Sequence, residues 1–281
     1  MTASHFVVKP APPIRLRRMG GRVTAERDAR DERIGWLVFD QPERHNAISV
    51  EMWREIPRAA EQLAADDAVR VVILRGAGDA AFVAGADISE FGEKRSGDAT
   101  RAYDADSGRA FLALATLGKP VLAMIHGHCI GGGVAIALTA DARYAADDAV
   151  FAIPAARLGL GYHMSGLEAL VNLVGPSRAK EIFFTARRFS AKEAHDIGLV
   201  NGVFPAAELE KRVRETAERI AGNAPLTLRS VKRIVQELAQ EPARRDLAAV
   251  DASIRACFES EDYREGVSAF LEKRQPRFRG R

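Results

Sequence analysis

Short β-branched or apolar runs alternate with helical stretches as far as residue 153, and beyond Phe204 only helical patterns remain. That change of period divides the chain. Val23–Arg27 and Ile34–Phe39 read as strands across the charged turn Asp28–Arg33, Val69–Leu74 and Pro120–Ile125 as buried strands. Asp141–Ala146 and Ala149–Ile153 predict a hairpin around Asp147-Asp148. Between them, Ser49 offers an N-cap for a helix from Val50 to about Ala65, with Pro57 predicting a kink or a delayed start. Further helices are expected over Thr100–Leu117 and Val134–Thr139, and Gly76–Glu90 reads as a loop of small residues. Strands alternating with helices give a layered α/β core. Glu208–Gly222, Leu226–Gln240, Ala243–Glu259 and Asp262–Lys273 then follow as helices. The expected organisation is a flexible tail over 1–20, a core over 21–205 and a helical region over 206–281.

Several function classes are disfavoured. Forty-one Lys and Arg against 38 Asp and Glu leave a net charge of only +3. Much of that excess lies at the ends, in Arg15, Arg17, Arg18 and Arg22 and in Arg277, Arg279 and Arg281. A nucleic-acid partner would call for a basic stripe along a folded face, and none is visible. Cys129 and Cys257 make neither a disulfide framework nor a metal pair, which suits a reducing cytoplasm. No apolar run reaches the length of a membrane span, and the N-terminus has no apolar signal core. Neither G-x-G-x-x-G nor G-x-x-x-x-G-K-[ST] occurs.

Two segments leave backbone uncovered. In Ala81-Phe82-Val83-Ala84-Gly85-Ala86-Asp87-Ile88, Phe82 and Ile88 serve as anchors, while Ala84, Gly85 and Ala86 leave N–H and C=O groups open to a ligand. A tight turn at a strand end would use the same residues. Gly131-Gly132-Gly133 opens the apolar run Val134–Leu138. The first N–H groups of a helix have no intrahelical partner, and the positive end of the dipole lies there. Such a start suits an anion or a developing oxyanion; close helix packing is the structural alternative. His126 and His128 flank Gly127 without a third ligand nearby, so no metal site is expected. Cys129 has no partnered base and reads as packing.

In order and spacing, Pro42-Glu43-Arg44-His45-Asn46-Ala47-Ile48-Ser49, Ala81–Ile88, His126–Gly133, Gly198-Leu199-Val200 and Phe270-Leu271-Glu272-Lys273-Arg274 resemble the crotonase superfamily of enoyl-CoA hydratases and isomerases. The resemblance runs from about Val23 to the C-terminus. It implies a spiral of repeated ββα units followed by a helical region that drives trimer formation, often with pairing of trimers. It implies an acyl-CoA thioester as substrate, so that coenzyme A enters with the substrate and no separate cofactor is needed. The oxyanion hole would be the N–H groups of Ala86 and Gly132. Carbonyls around Ala84, Ala86, Asp87 and Ile88 would hold the adenine of coenzyme A beside Ala47, and Arg44 would approach its phosphates. Phe270 and Lys273 would reach a neighbouring subunit's ligand. His126 would be structural, and His128 would line the acyl pocket.

The chain departs from the family's pattern at the two glutamates that position and activate water in its hydratases. Those positions are Ala135 and Ala155. Ordinary hydration is therefore not expected, whereas isomerisation, decarboxylation and C–C cleavage share the same enolate. In related isomerases an acidic residue sits on the following loop, where this chain has Tyr162-His163. Histidine titrates near pH ~6.5 and suits proton transfer, and Tyr162 would donate a hydrogen bond beside it; an outward-facing lid is the structural alternative. A non-catalytic acyl-CoA-binding homologue would keep the same backbone site. An RNA-binding homologue would need the basic stripe that is missing.

Overall fold

A computed structural model describes residues 20–87, Ser89, 98–162 and 164–281. Among these residues ten strands fall into two sheets: β1 (Arg22–Arg27), β2 (Ile34–Asp40), β3 (Val71–Gly76), β4 (Ala81–Val83), β5 (Val121–Ile125), β6 (His128–Ile130), β7 (Ala142–Ala146), β8 (Val150–Ala152), β9 (Phe189–Ser190) and β10 (Gly202–Phe204). One sheet has the order β1-β2-β3-β5-β7-β10, the other β4-β6-β8-β9. β1 joins β2 antiparallel, and every later pair of the larger sheet is parallel. In the smaller sheet β4, β6 and β8 run parallel, and β9 closes it antiparallel.

The central strands β2, β3 and β5 of the larger sheet are buried on both faces, as parallel strands generally are. Period-two alternation sorts their side chains. Ile34, Trp36, Val71, Ile73, Leu122 and Met124 face one apolar cluster. Leu37, Phe39, Val72, Leu74, Val121 and Ala123 face the other. The first cluster is closed by Leu209, Val213, Ala217 and Ala221 of a C-terminal helix, Ala206–Ala221. The helical region set apart from residue 206 thus begins with a helix that completes the core. The second cluster is filled by α1 (Val50–Ala65), which buries Met52, Trp53, Ile56, Ala60 and Leu63 at helical spacing.

Ser49 caps α1, its Oγ accepting the Met52 N–H at 3.2 Å, and the helix continues through Pro57 without a delayed start. Among the described residues the remaining helices are α2 (Asp98–Ala115), α3 (Gly132–Leu138), α4 (Met164–Thr185), which is kinked at Gly175, α5 (Ala191–Asp196), α6 (Ala206–Ala221), α7 (Pro225–Leu238), α8 (Leu247–Glu259) and α9 (Glu261–Leu271). Two sequence expectations need correction. The stretch 76–90 is not only loop, because Ala81–Val83 is strand β4 of the smaller sheet. β7 and β8 are not a hairpin: β7 pairs with β5 and β10, whereas β8 crosses to β6 and β9. Asp147, between them, serves another turn, its N–H donating to the Phe204 carbonyl and its Oδ1 accepting the Ala206 N–H.

Candidate active site

The two uncovered segments meet. β6 leads into α3 through Gly131, whose φ of 52° and ψ of −109° lie where side-chain-bearing residues seldom go. A side chain on Gly133 would place its first carbon 2.1 Å from the Val83 carbonyl oxygen. Only glycine lets the start of α3 lie against the end of β4. On the same turn, a carbon placed on Gly132 would lie 3.6 Å from the Ala86 nitrogen, 3.6 Å from Trp53 Cζ2 and 3.7 Å from the Gly85 carbonyl carbon. Gly132 and Ala86 therefore lie side by side, with the Trp53 ring beside Gly132.

Backbone pairing fixes the direction of the Ala86 N–H. Ile48 donates its N–H to Gly85 at 2.8 Å and accepts the Asp87 N–H at 2.9 Å. In an extended chain, neighbouring backbone groups point to opposite sides, so the Ala86 N–H is turned away from Ile48. Among the described residues, neither the Ala86 nor the Gly132 N–H donates a hydrogen bond. Two unpaired donors beside a helix start are an arrangement that favours negative charge.

The segment before α1 is fastened to the same place by Asn46, a residue the sequence reading left without a role. At 1% exposure, its Oδ1 accepts the Gln41 N–H, and its Nδ2 donates to the carbonyls of Ala77 and Ala81 at 3.0 and 2.8 Å. Its φ of 57° is one that asparagine tolerates better than most residues. The signal was local, an Asn within a turn, but the two carbonyls it holds lie more than thirty residues away. Trp53 was missed for the same reason. Its indole N–H donates to the Tyr103 hydroxyl at 2.9 Å, and its ring stands edge-on to Phe111 at 5.2 Å.

Arg44 lies beside the loop rather than apart from it. Its Nη1 reaches Asp87 Oδ2 at 2.5 Å and Ser89 Oγ at 2.6 Å. Asp87 Oδ1 also accepts the Ser89 N–H and hydroxyl. Burial would raise the Asp87 carboxyl, but the hydrogen bonds from Ser89 and Arg44 outweigh it and hold the group below its ordinary range. Ala47 is buried, its N–H on the Arg44 carbonyl, and the Ala84 N–H donates to the His45 carbonyl.

The histidine pair around Gly127 separates. His126 is buried, and Nε2 has no hydrogen-bond partner among the described residues. Burial and the nearby Arg75 charge hold it below the usual histidine value. His128 instead stands edge-on to His45, ring centres 5.6 Å apart, and is lowered by burial, by His45 and by Arg188. No group of three or more metal-binding side chains occurs among the described residues. The Cys129 thiol is fully buried, and burial pushes it far above the usual range, away from the thiolate a nucleophile needs.

Ala135 lies one turn into α3, its N–H on the Gly131 carbonyl; Ala155 is buried in the 3-10 turn Pro154–Arg157, its carbonyl accepting the Leu158 and Leu160 N–H groups. Tyr162 is exposed, its ring edge-on to Phe183 of α4 at 4.8 Å. Ile88 and His163 lie outside the described residues. Phe270 and Lys273 close α9 and the turn after it, with Phe270 83% exposed in the single chain.

Known proteins carry the same build. The sequence profile of the enoyl-CoA hydratase/isomerase family matches residues 29–281. A crotonyl-CoA hydratase of Syntrophomonas wolfei is 35% identical over 249 residues, covering 89% of this chain and 95% of that protein. A peroxisomal Delta(3,5)-Delta(2,4)-dienoyl-CoA isomerase of Arabidopsis thaliana is 35% identical over 260 residues, covering 88% and 93%. Among solved structures, an enoyl-CoA hydratase/carnithine racemase of Magnetospirillum magneticum superposes with a TM-score of 0.87 at 34% identity, covering 92% of this chain and 96% of that one. The two-sheet core with its covering helices is thus the crotonase fold, and the chain belongs to the enoyl-CoA hydratase/isomerase family.

Proposed function

We propose that this protein acts on an acyl-CoA thioester by stabilising its enolate with the N–H groups of Ala86 and Gly132, and that it is not an ordinary hydratase. The single observation supporting this is the pair of unpaired N–H donors on neighbouring residues, Ala86 and Gly132, at the start of α3. A thioester carbonyl oxygen held between them gains negative charge as a proton leaves the α-carbon or a bond to it breaks. Donors of this kind contribute roughly 3–4 kcal/mol each, and more of it to the charged intermediate than to the substrate.

Trp53 would border the carbonyl on one side and keep water from it. Arg44 would meet the phosphates of coenzyme A, and the carbonyls around Ala84–Asp87 the adenine. His163, seconded by Tyr162, would move the proton, since Ala135 and Ala155 offer no carboxylate. The relatives include both a hydratase and an isomerase; the two alanines favour isomerisation, decarboxylation or C–C cleavage over water addition. They also favour a second reading, a homologue that binds acyl-CoA without turning it over. We assign the assembly as a trimer or a dimer of trimers, with the exposed end of α9 against a neighbouring copy.

Turnover of 2-enoyl-, 3-enoyl-, dienoyl- and β-dicarbonyl-CoA thioesters tests the proposal. Conversion of at least one of the last three, with crotonyl-CoA hydrated slowly or not at all, is expected. Rapid crotonyl-CoA hydration would contradict the mechanism, and tight binding without any turnover would favour the second reading.

A further inference from the structure

Asp87 is next to a proposed oxyanion donor, yet a carboxylate there would repel the phosphates of coenzyme A if it met them directly. Its position argues for another task. The Asp87 side chain is 8% exposed and the Arg44 side chain 50%. Oδ2 takes Arg44 Nη1, and Oδ1 takes both the N–H and the hydroxyl of Ser89, whose Oγ accepts a second bond from the same Nη1. The remaining Arg44 donors, Nε and Nη2, make no hydrogen bond among the described residues. One corner of the guanidinium is therefore pinned inward, and the other edge is left for solvent or ligand.

Such an edge is the planar fork that grips a phosphate through two parallel hydrogen bonds. An arginine on an exposed turn ordinarily loses much rotamer freedom when it binds; here much of that ordering is already done. The Asp87 N–H is bonded to Ile48, so the residue that holds Arg44 is also fixed relative to Ala86. We propose that Asp87 is a positioning residue, which orients Arg44 toward the phosphates of coenzyme A and ties that contact to the site of the thioester carbonyl. The inference rests on the acyl-CoA reading above and adds the device that sets the nucleotide end of the substrate.

Calorimetry with coenzyme A and with pantetheine, which ends before the phosphates, is the test. Wild-type protein is expected to bind coenzyme A more tightly. In Asp87→Asn, the dissociation constant for coenzyme A should rise about tenfold, with that for pantetheine unchanged. Arg44→Met should lose at least as much, and the double variant no more than Arg44→Met alone, because both substitutions remove one device. Ser89→Ala, which leaves the ion pair in place, should give a smaller loss confined to coenzyme A; it carries the test if Asp87→Asn does not fold. Unchanged or tighter coenzyme A binding in Asp87→Asn would make Asp87 a competitor for Arg44 and overturn the inference. Equal losses for both ligands would reduce Asp87 to a loop brace and overturn it as well. Wild-type protein that binds no coenzyme A would instead defeat the acyl-CoA reading itself.

Discussion

The proposed mechanism turns on positions 135 and 155, where the crotonase resemblance implies the hydratases' carboxylates and this chain has alanine. Ala135→Glu with Ala155→Glu should raise crotonyl-CoA hydration by ~10²-fold or more, since positioned acid–base groups contribute about that much each. Stopped assays following loss of the enoyl absorbance would read it; an unchanged rate would mean that the carboxylates are not what hydration lacks. His163→Ala should lower turnover of whichever thioester is converted by ~10²-fold, with coenzyme A binding little changed. A variant with full turnover would leave the proton to another group. Asn46 makes a structural prediction. Asn46→Ala removes three hydrogen bonds from backbone groups, two buried and one partly buried, and puts alanine at a φ of 57°, so stability should fall by about 2–4 kcal/mol in urea unfolding.

Among the elements, the turn between β1 and β2 is tied to α6 by one buried carboxylate. Asp28 Oδ2 takes the Trp36 indole N–H at 2.7 Å and Arg214 at 2.6 Å, while Oδ1 takes the N–H groups of Arg30 and Asp31. Burial alone would raise this carboxyl, but the hydrogen bonds from Arg214, Trp36 and the two N–H groups outweigh it and hold it well below its usual range. A carboxyl depressed in the folded state contributes stability that is present above its unfolded value near ~3.9 and is lost as pH falls below it. Asp28→Asn should therefore cost about 2–3 kcal/mol at neutral pH and flatten the acid side of the stability profile. Parallel loss of stability in both proteins between about pH 5 and 2 would assign acid sensitivity elsewhere.

At this scale the sequence was legible where a pattern was long enough to repeat. α1 shows its apolar stripe and cap, and β2 and β3 run six or seven residues with β-branched character. β4 and β6 have only three residues each, too few for alternation to declare itself. β7 and β8 resemble a hairpin because two acidic residues separate two apolar runs. Sheet membership is decided by long-range partners, β5 and β10 for one strand and β6 and β9 for the other.

The whole molecule leaves its C-terminal helices with apolar side chains uncovered. Val231, Val235 and Leu238 of α7, Leu247 and Phe258 of α8, and Phe270 and Leu271 of α9 are all exposed in the single chain. Scattered apolar residues are ordinary on surfaces, but rows on successive helices support the proposed assembly. Light scattering at micromolar concentration should report a trimer or hexamer, and a monomer would contradict the proposed assembly. Among the described residues, no helix is long and apolar enough to cross a membrane. The two uncovered backbone segments were legible because runs of glycine and alanine are unusual locally, and the structure brings them together. The Trp53 wall and the Arg44–Asp87 pair were not, since each joins residues brought together only by folding.

A thioester carbonyl polarised between the Ala86 and Gly132 N–H groups, as proposed, would show the effect in its own vibration. Difference infrared spectroscopy of crotonyl-CoA carrying carbon-13 at the thioester carbonyl tests it without depending on any particular reaction. Two hydrogen bonds to the oxygen weaken the C=O bond, so the labelled band should move to lower wavenumber on binding. A bound thioester whose carbonyl band stays where it lies in water, or moves higher, would contradict the account.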